Sequence, residues 1–74
     1  MDIEIRLFAT LRAGRFGKKT LDFPQASKVR DVLDRLGIPS DEVSILLVNG
    51  REAEIGRPLE AGDTVSLFPA VGGG

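Results

Sequence analysis

The sequence contains no cysteine and no histidine, and each absence excludes a class of site. Without cysteine there is no disulfide framework, no thiolate metal site and no cysteine nucleophile. Without histidine the chain lacks the usual acid–base group of neutral pH and the commonest nitrogen ligand for metals. A serine nucleophile activated by histidine is excluded for the same reason. The carboxylates do not follow a calcium-loop spacing, so no metal site is predicted.

The sequence also has no surplus of one charge and no long apolar run. Ten Lys and Arg residues stand against 11 Asp and Glu residues, and the net charge is −1. Nucleic-acid binding normally uses a basic surplus, so no nucleic-acid partner is predicted. The densest basic group is interpreted as a solvated turn; it consists of Arg12, Arg15, Lys18 and Lys19. The longest apolar run, residues 45–48, is far shorter than the roughly 20 residues that cross a bilayer. With no signal-peptide pattern at Met1, we expect a cytoplasmic protein without a membrane partner.

Apolar residues that alternate with polar ones predict strands in several parts of the chain. The predicted strands cover residues 2–10, 18–24, 44–49, 51–54 and 65–68. The first has Ile5, Leu7 and Ala9 on its core face and Phe8 on the other. Residues 11–17 are predicted to form a loop. The last strand is expected to stop at Pro69, which cannot donate a ladder hydrogen bond.

A helix is predicted over residues 28–36, where apolar residues recur at i, i+3, i+4 and i+7. Ser27 is expected to cap its first turn, and Gly37 suits the left-handed residue that follows a helix. Farther along, Asn49-Gly50 is the strongest short signal for a hairpin. The predicted fold is therefore α+β, a mixed sheet of four to five strands with one main helix packed on one face.

The face of the sheet opposite the helix is left to water or to a partner. Because the first and last strands are the most apolar, we expect them to be neighbours in the centre of the sheet. Phe8 and Phe68 would then form an exposed aromatic pair. One side of the third strand would join the pair, either Ile45 with Leu47 or the residues that alternate with them. A contiguous apolar patch suggests a protein partner, although single exposed apolar side chains are ordinary.

The chain ends on Gly72, Gly73 and Gly74, which have great backbone freedom and no side chains to pack. We divide the chain into a domain at residues 1–69 and a flexible tail at residues 70–74. Extended, residues 69–74 would reach about 20 Å at roughly 3.3 Å per residue. Taken alone, such a tail suits either a frayed end or a thread that enters a narrow pocket.

Three segments together resemble the ubiquitin-like sulfur carriers, a family that includes the small subunit of molybdopterin synthase and the sulfur carrier of thiamine biosynthesis. They read LFATLR at residues 7–12, LLVNG at residues 46–50 and PLEAGDTVSLFPAVGGG at residues 58–74. The resemblance covers essentially the whole chain and implies a β-grasp fold. The first and last segments are closer to the molybdopterin-synthase subunit. Members of the family usually end in two glycines, whereas this chain ends in three. This departure weakens the choice of pathway more than it weakens the choice of mechanism.

The resemblance implies a cycle at the Gly74 carboxylate. A ubiquitin-activating-like adenylyltransferase would join AMP to it, and a persulfide sulfur donor would replace AMP to leave a thiocarboxylate. The large catalytic subunit of molybdopterin synthase would then receive the sulfur, with this chain as the non-catalytic small subunit. ATP and Mg²⁺ would belong to the activating partner, and this chain would bind no cofactor. Sulfur delivery to thiamine thiazole or amino-acid biosynthesis, and attachment to proteins as a modifier, are the alternatives.

The family pattern also implies which residues meet the partners. Val71, Gly72 and Gly73 would lead Gly74 into a partner's active site. The partner-binding residues implied on the folded body are Phe8, Phe68, Pro69, Ile45 and Leu47.

Overall fold

The computed structural model describes residues 1–70, and within them five β-strands and one α-helix follow the predicted order. The strands are β1 (Asp2–Leu7), β2 (Lys18–Asp22), β3 (Val43–Val48), β4 (Arg51–Glu52) and β5 (Thr64–Pro69), and the helix α1 is Val29–Leu36. Short 3-10 helices lie at Ala9–Arg12 and Ser40–Glu42. The predicted tail residues Val71, Gly72, Gly73 and Gly74 lie outside the described residues.

The sheet is mixed, with strand order β2-β1-β5-β3-β4. β1 runs parallel to β5, and the other neighbouring pairs are antiparallel. The first and last strands are therefore adjacent and interior, as their apolar composition predicted. The predicted α+β arrangement is confirmed, with five strands in the sheet.

Alternate residues of each interior strand point toward the helix and are fully buried, among them Ile3, Ile5, Val65 and Leu67, each with no exposed surface. From α1, Val29, Val32 and Leu33 complete this core, at the spacing that the sequence predicted. Strand alternation explains why the same strands present a second set of side chains to the opposite side. We call that side, which α1 does not cover, the outer face.

The first strand is shorter than predicted, because the chain turns at Phe8. Ala9 adopts a left-handed φ of 51° and is exposed, so its predicted place on the core face is wrong. The 3-10 helix that follows brings Leu11 into the core at 3% exposure, although a loop was predicted there. Burying a leucine contributes about 1.5–3 kcal/mol, and a left-handed alanine costs roughly 1–2 kcal/mol. The burial of Leu11 therefore offsets the strain at Ala9.

The start of α1 is also held differently from the prediction. Ser27 is buried and its hydroxyl donates to the Pro24 carbonyl at 2.8 Å, so it does not cap the helix. Instead the N–H groups of Val29 and Arg30 donate to carbonyls of the loop before β5, at 3.0 and 2.8 Å. The carboxylate of Asp31 accepts from the Lys28 N–H at 2.7 Å. Loop carbonyls thus satisfy donors for which a serine cap was expected.

Both predicted turns have the expected backbone. Gly37 ends α1 with φ 69°, and Asn49 and Gly50 join β3 to β4 with φ 54° and 81°. Two successive positive φ values are the requirement of the hairpin turn that Asn-Gly favours. β4 stops at Glu52, two residues before its predicted end. The last strand runs one residue farther than predicted, because Pro69 still pairs with Val43.

Candidate functional site

The predicted aromatic pair forms on the outer face, where β1 ends beside β5. The rings of Phe8 and Phe68 are stacked, with centroids 4.2 Å apart and planes 8° from parallel. The Phe8 N–H donates to the Leu67 carbonyl at 3.2 Å, which continues the β1–β5 pairing past the last residue of β1. Phe8 is nevertheless 37% exposed. Stacking covers one ring face of each aromatic and leaves an apolar surface open to a partner.

Ile45 extends this pair across the sheet. It lies directly opposite Phe68 in the β3–β5 register and is 44% exposed. We call Phe8, Phe68 and Ile45 the aromatic row. In the same strand Leu46 and Val48 are buried, so of the two sides that the sequence left open it is the side of Ile45 and Leu47 that faces outward.

The other two implied partner residues lie near the row but not in it. Leu47 is half-buried and pairs with Ser66, one step along the outer face from the Ile45–Phe68 pair. Pro69 is half-buried, and strand alternation puts it on the same side of β5 as Leu67. Phe8, Phe68 and Ile45 thus come together, Leu47 borders them, and Pro69 lies beyond their end.

The described chain ends next to this surface. β5 continues from Phe68 through Pro69 to Ala70, whose N–H donates to the Glu42 carbonyl at 3.0 Å. The backbone is thus held to the fold up to Ala70. The predicted reactive end, Gly74 with Val71, Gly72 and Gly73 before it, follows beyond the described residues and stays a prediction.

A buried carboxylate holds β5 in this register; it lies in the third segment of the family resemblance, but the sequence predicted no structural role for it. Asp63 accepts hydrogen bonds from the Asn49 side-chain amide at 2.9 Å and from the Glu60 N–H at 2.8 Å. The Asn49 side-chain oxygen in turn accepts from the Thr64 N–H at 2.9 Å. The start of β5 is thereby tied to the β3–β4 hairpin, which fixes Phe68 opposite Ile45.

Burial by itself raises the pKa of the Asp63 carboxyl. The hydrogen bonds from Glu60 and Asn49, with the positive charge of Arg57, outweigh burial and hold the pKa below its ordinary value of 3.8. Asp63 is therefore ionised at neutral pH, and its charge is used to organise the fold. The partners are 3 and 14 residues away in sequence, so no local pattern identifies this cluster.

No group of three or more acidic, histidine or cysteine side chains that could hold a metal ion is present among residues 1–70. No helix in the same residues is long and apolar enough to cross a membrane. Beside the end of β5 the described surface presents exposed apolar side chains.

Comparison with known proteins identifies the family. The family described as Mut7-C ubiquitin matches residues 2–72. The chain belongs to the Mut7-C ubiquitin family. This is a ubiquitin-like family of the sulfur-carrier type, so the resemblance drawn from the three sequence segments is confirmed. No curated protein sequence matches the chain.

Solved structures agree with membership of the Mut7-C ubiquitin family. SAMP1, the small archaeal modifier protein 1 of Haloferax volcanii, is 32% identical, with 100% of both chains covered and a TM-score of 0.79. The HVO 2177 protein of the same organism is 31% identical, with a TM-score of 0.80 over 100% of this chain and 87% of the other. The complex of subunits 1 and 2 of the molybdopterin-converting factor from Helicobacter pylori contains a chain that shares the fold at 23% identity, with 100% of both chains covered and a TM-score of 0.66.

These likenesses confirm the predicted β-grasp fold for this Mut7-C ubiquitin. The chain has the fold of ubiquitin-like sulfur carriers and modifiers.

Proposed function

We propose that this protein is a sulfur carrier that is adenylated and then thiocarboxylated at the Gly74 carboxylate, and that it donates sulfur for molybdopterin biosynthesis. The observation that carries the proposal is the aromatic row, an exposed apolar surface at the end of β1 and on β3 and β5. It lies directly before the segment that leads to three glycines. A folded body that docks through this row would deliver the chain end into the active site of the partner.

The proposed chemistry needs no side chain of this protein. A carboxylate is a poor electrophile, because oxide would be its leaving group. Attack of the Gly74 carboxylate on the α-phosphorus of ATP forms an acyl-adenylate and releases pyrophosphate. The terminal sulfur of a persulfide then attacks the acyl carbon, expels AMP and forms an acyl disulfide. A thiol cleaves the sulfur–sulfur bond, which leaves the thiocarboxylate and a new disulfide on the donor side.

The partners would supply the remaining chemistry. A ubiquitin-activating-like adenylyltransferase would bind ATP and Mg²⁺, and this chain would bind neither. The large catalytic subunit of molybdopterin synthase would accept the sulfur. Support for that acceptor comes from the segments LFATLR and FPAVGGG and from the shared fold with a chain of the Helicobacter pylori subunit 1 and 2 complex.

Intact-mass spectrometry tests the proposal. The protein is incubated with Mg-ATP, a sulfur source and a ubiquitin-activating-like adenylyltransferase from the same cell. We expect the mass gain of one oxygen replaced by one sulfur, and we expect none in a variant that lacks Gly73 and Gly74. If the intact protein gains no sulfur with any such enzyme, the carrier function is wrong.

Sulfur transfer tests the pathway separately. The thiocarboxylated protein is mixed with the molybdopterin-synthase large subunit and the pterin precursor, and we expect its mass to return to that of the carboxylate. A thiocarboxylate that persists there and is consumed by thiazole-forming or amino-acid-forming enzymes would assign the alternative pathway.

A second candidate is attachment to proteins as a modifier. It is favoured by one observation: the identity to the small archaeal modifier protein is 32%, against 23% for the molybdopterin-converting chain. The same acyl-adenylate would then react with a lysine amine, expel AMP and form an isopeptide bond. C-terminal peptides of this chain joined through Gly74 to lysines of other proteins, found after denaturing purification and digestion, would establish this role. Their absence under conditions that produce thiocarboxylate would exclude it.

A further inference from the structure

Three cationic side chains, each six residues from the next in the sequence, line one hollow at the β1–β2 end of the outer face. The hollow has a volume of about 430 Å³. We call it the basic hollow; it is lined by Arg6, Leu7, Phe8, Arg12, Gly17 and Lys18. Phe8 also belongs to the aromatic row, so the two surfaces are continuous.

The fold positions Arg12 in the basic hollow through a backbone feature. The Gly17 carbonyl accepts from the Leu7 N–H at 2.9 Å, which holds the loop against the end of β1. The Arg12 guanidinium lies over this glycine, and a Cβ at residue 17 would be only 2.6 Å from the Arg12 Nη2 atom. A Cβ at residue 17 would therefore displace the end of the Arg12 side chain from this position.

The positive charges of the basic hollow are only partly neutralised. Arg6 and Lys18 lie directly opposite each other in the β1–β2 pair, an arrangement that disfavours folding for like charges. The Arg6 Nε donates to the Glu4 carboxylate at 2.7 Å, which compensates one charge. The Arg12 guanidinium donates no hydrogen bond to any other group within residues 1–70. A protein of net charge −1 thus concentrates positive charge at one place.

The opposite flank of the outer face differs in charge. One row across the sheet reads Lys18, Arg6, Ser66, Leu47 and Glu52. It changes from basic to acidic over about 19 Å at roughly 4.8 Å per strand. A larger groove on that flank, about 830 Å³, includes Arg30 but also Glu52 and Glu54, so it has no single sign. The basic hollow alone of these two offers a strong electrostatic preference.

We propose that the basic hollow binds an acidic segment of the partner protein that covers the aromatic row. This inference rests on the proposed function, which requires such a partner. Guanidinium groups match carboxylates in a planar fork. The Arg12 side chain is exposed, and its donors make no hydrogen bond within residues 1–70. Because the charge changes sign across the sheet, an acidic segment at this end would fix the direction in which the partner sits on the row. Apolar contact would hold the partner, and the hollow would orient it.

A titration with hexaglutamate peptide, monitored by backbone amide shifts of the ¹⁵N-labelled protein, tests the inference. We expect shifts at Arg6, Arg12, Gly17 and Lys18, and weaker binding at higher salt. Arg12→Gln should lower the affinity about two- to fivefold, the range of an exposed ion pair. Arg51→Gln is the matched control, because it removes the same charge from β4 at the far edge of the sheet, and it should leave the affinity unchanged.

Several results would overturn the inference. If Arg51→Gln lowers the peptide affinity as much as Arg12→Gln does, binding responds only to net charge. If uncharged hexaglutamine causes equal amide shifts, binding does not depend on the charge of the peptide. Stronger shifts of the same amides with inorganic phosphate would show a small-anion site, and stronger shifts with a DNA duplex a nucleic-acid surface. The intact-mass assay on the same samples separates the two proposals. Sulfur gain without peptide binding contradicts the basic hollow alone, and peptide binding without sulfur gain contradicts the carrier function alone.

Discussion

Neighbouring residues of β5 show two different uses of one strand. Val65 and Leu67 point toward α1 and have no exposed surface, whereas Ser66 and Phe68 point to the outer face and are only half-buried. The inner side chains remove apolar area from water on folding, which is the main source of stability. The outer side chains keep part of their surface exposed to water in the folded chain. Stability therefore depends on the inner face of the sheet, whereas the outer face is the surface that we propose for partner binding.

The largest stability loss is expected from Leu67→Ala, on the inner face of the central strand. Leu67 has no exposed surface, and truncation of such a residue leaves a cavity that the surrounding core fills only partly. We expect a decrease of about 2–5 kcal/mol in the free energy of unfolding, measured by urea denaturation. A decrease no larger than that of a substitution at Phe68 would remove the distinction between the faces.

A smaller loss is expected from Asp63→Asn, which tests the tie between β5 and the hairpin. The new amide nitrogen would face either the Asn49 amide nitrogen or the Glu60 N–H, and both of these groups are donors. Asn49 cannot reverse its amide without losing the hydrogen bond from the Thr64 N–H. We expect a decrease of about 1–3 kcal/mol at neutral pH, because buried donors lose an acceptor.

The pH dependence gives the control for this substitution. The pKa of Asp63 is lower in the folded state than its ordinary 3.8, so its stabilising effect is fully present above that value. The effect is lost as the pH falls through the folded-state pKa. The stability difference between Asp63→Asn and the unsubstituted protein should therefore narrow in acid. A difference that is constant with pH would mean that charge at residue 63 is unimportant.

A modest effect on stability is expected from Phe68→Ala on the outer face. The substitution removes the stacking with Phe8, and such aromatic pairs contribute about 0.5–1.5 kcal/mol beyond their area. The free energy of binding to the activating enzyme or the large subunit should fall by far more than the free energy of unfolding does. Calorimetric binding and urea denaturation of the same sample provide the two values. Binding that falls only in proportion to stability would argue against the aromatic row as the docking surface.

The smallest stability effect is expected from Ile45→Ser, at the exposed end of the aromatic row. Ile45 is 44% exposed, and surface substitutions usually change stability by about 0.5 kcal/mol or less. Partner binding should still weaken, because an apolar contact is removed. Ser44→Ala in the same strand is the matched control, since Ser44 is exposed but is not part of the row. Partner binding that responds equally to both substitutions would contradict the assignment of Ile45 to the interface.

Much of the fold followed from local patterns. Periodicity located α1 within one residue at its start, and Gly37 and the Asn49-Gly50 pair marked turns whose positive φ values the structure confirms. The aromatic row was also predicted, because alternation within β1 and β5 assigned Phe8 and Phe68 to the same side. These features depend on neighbours along the chain, and for that reason a sequence reports them.

The errors occurred where distant groups compete for the same position. Alternation extended the first strand to Ala9, but the core gains more from Leu11, and the chain turns to bury it. Ser27 is the residue type that usually caps a helix, but carbonyls of the loop before β5 accept the hydrogen bonds of the Val29 and Arg30 N–H groups instead. For the basic hollow, one signal was available: Arg6 shares the outer face of its strand with Phe8, two residues away.

The sequence by itself determined the order and type of the elements, the apolar stripe of the helix, the two turns and the family resemblance, because each rests on residue type and spacing along the chain. Only the tertiary structure decided that Asp63 holds Asn49 and that Arg12 lies over Gly17 beside Arg6 and Lys18. Such contacts depend on the strand register and on which residue has no Cβ at a point of close approach. The register and the point of close approach are properties of the packed sheet. There, residues that are not neighbours in the sequence determine what it costs to bury a charge or to place like charges opposite each other.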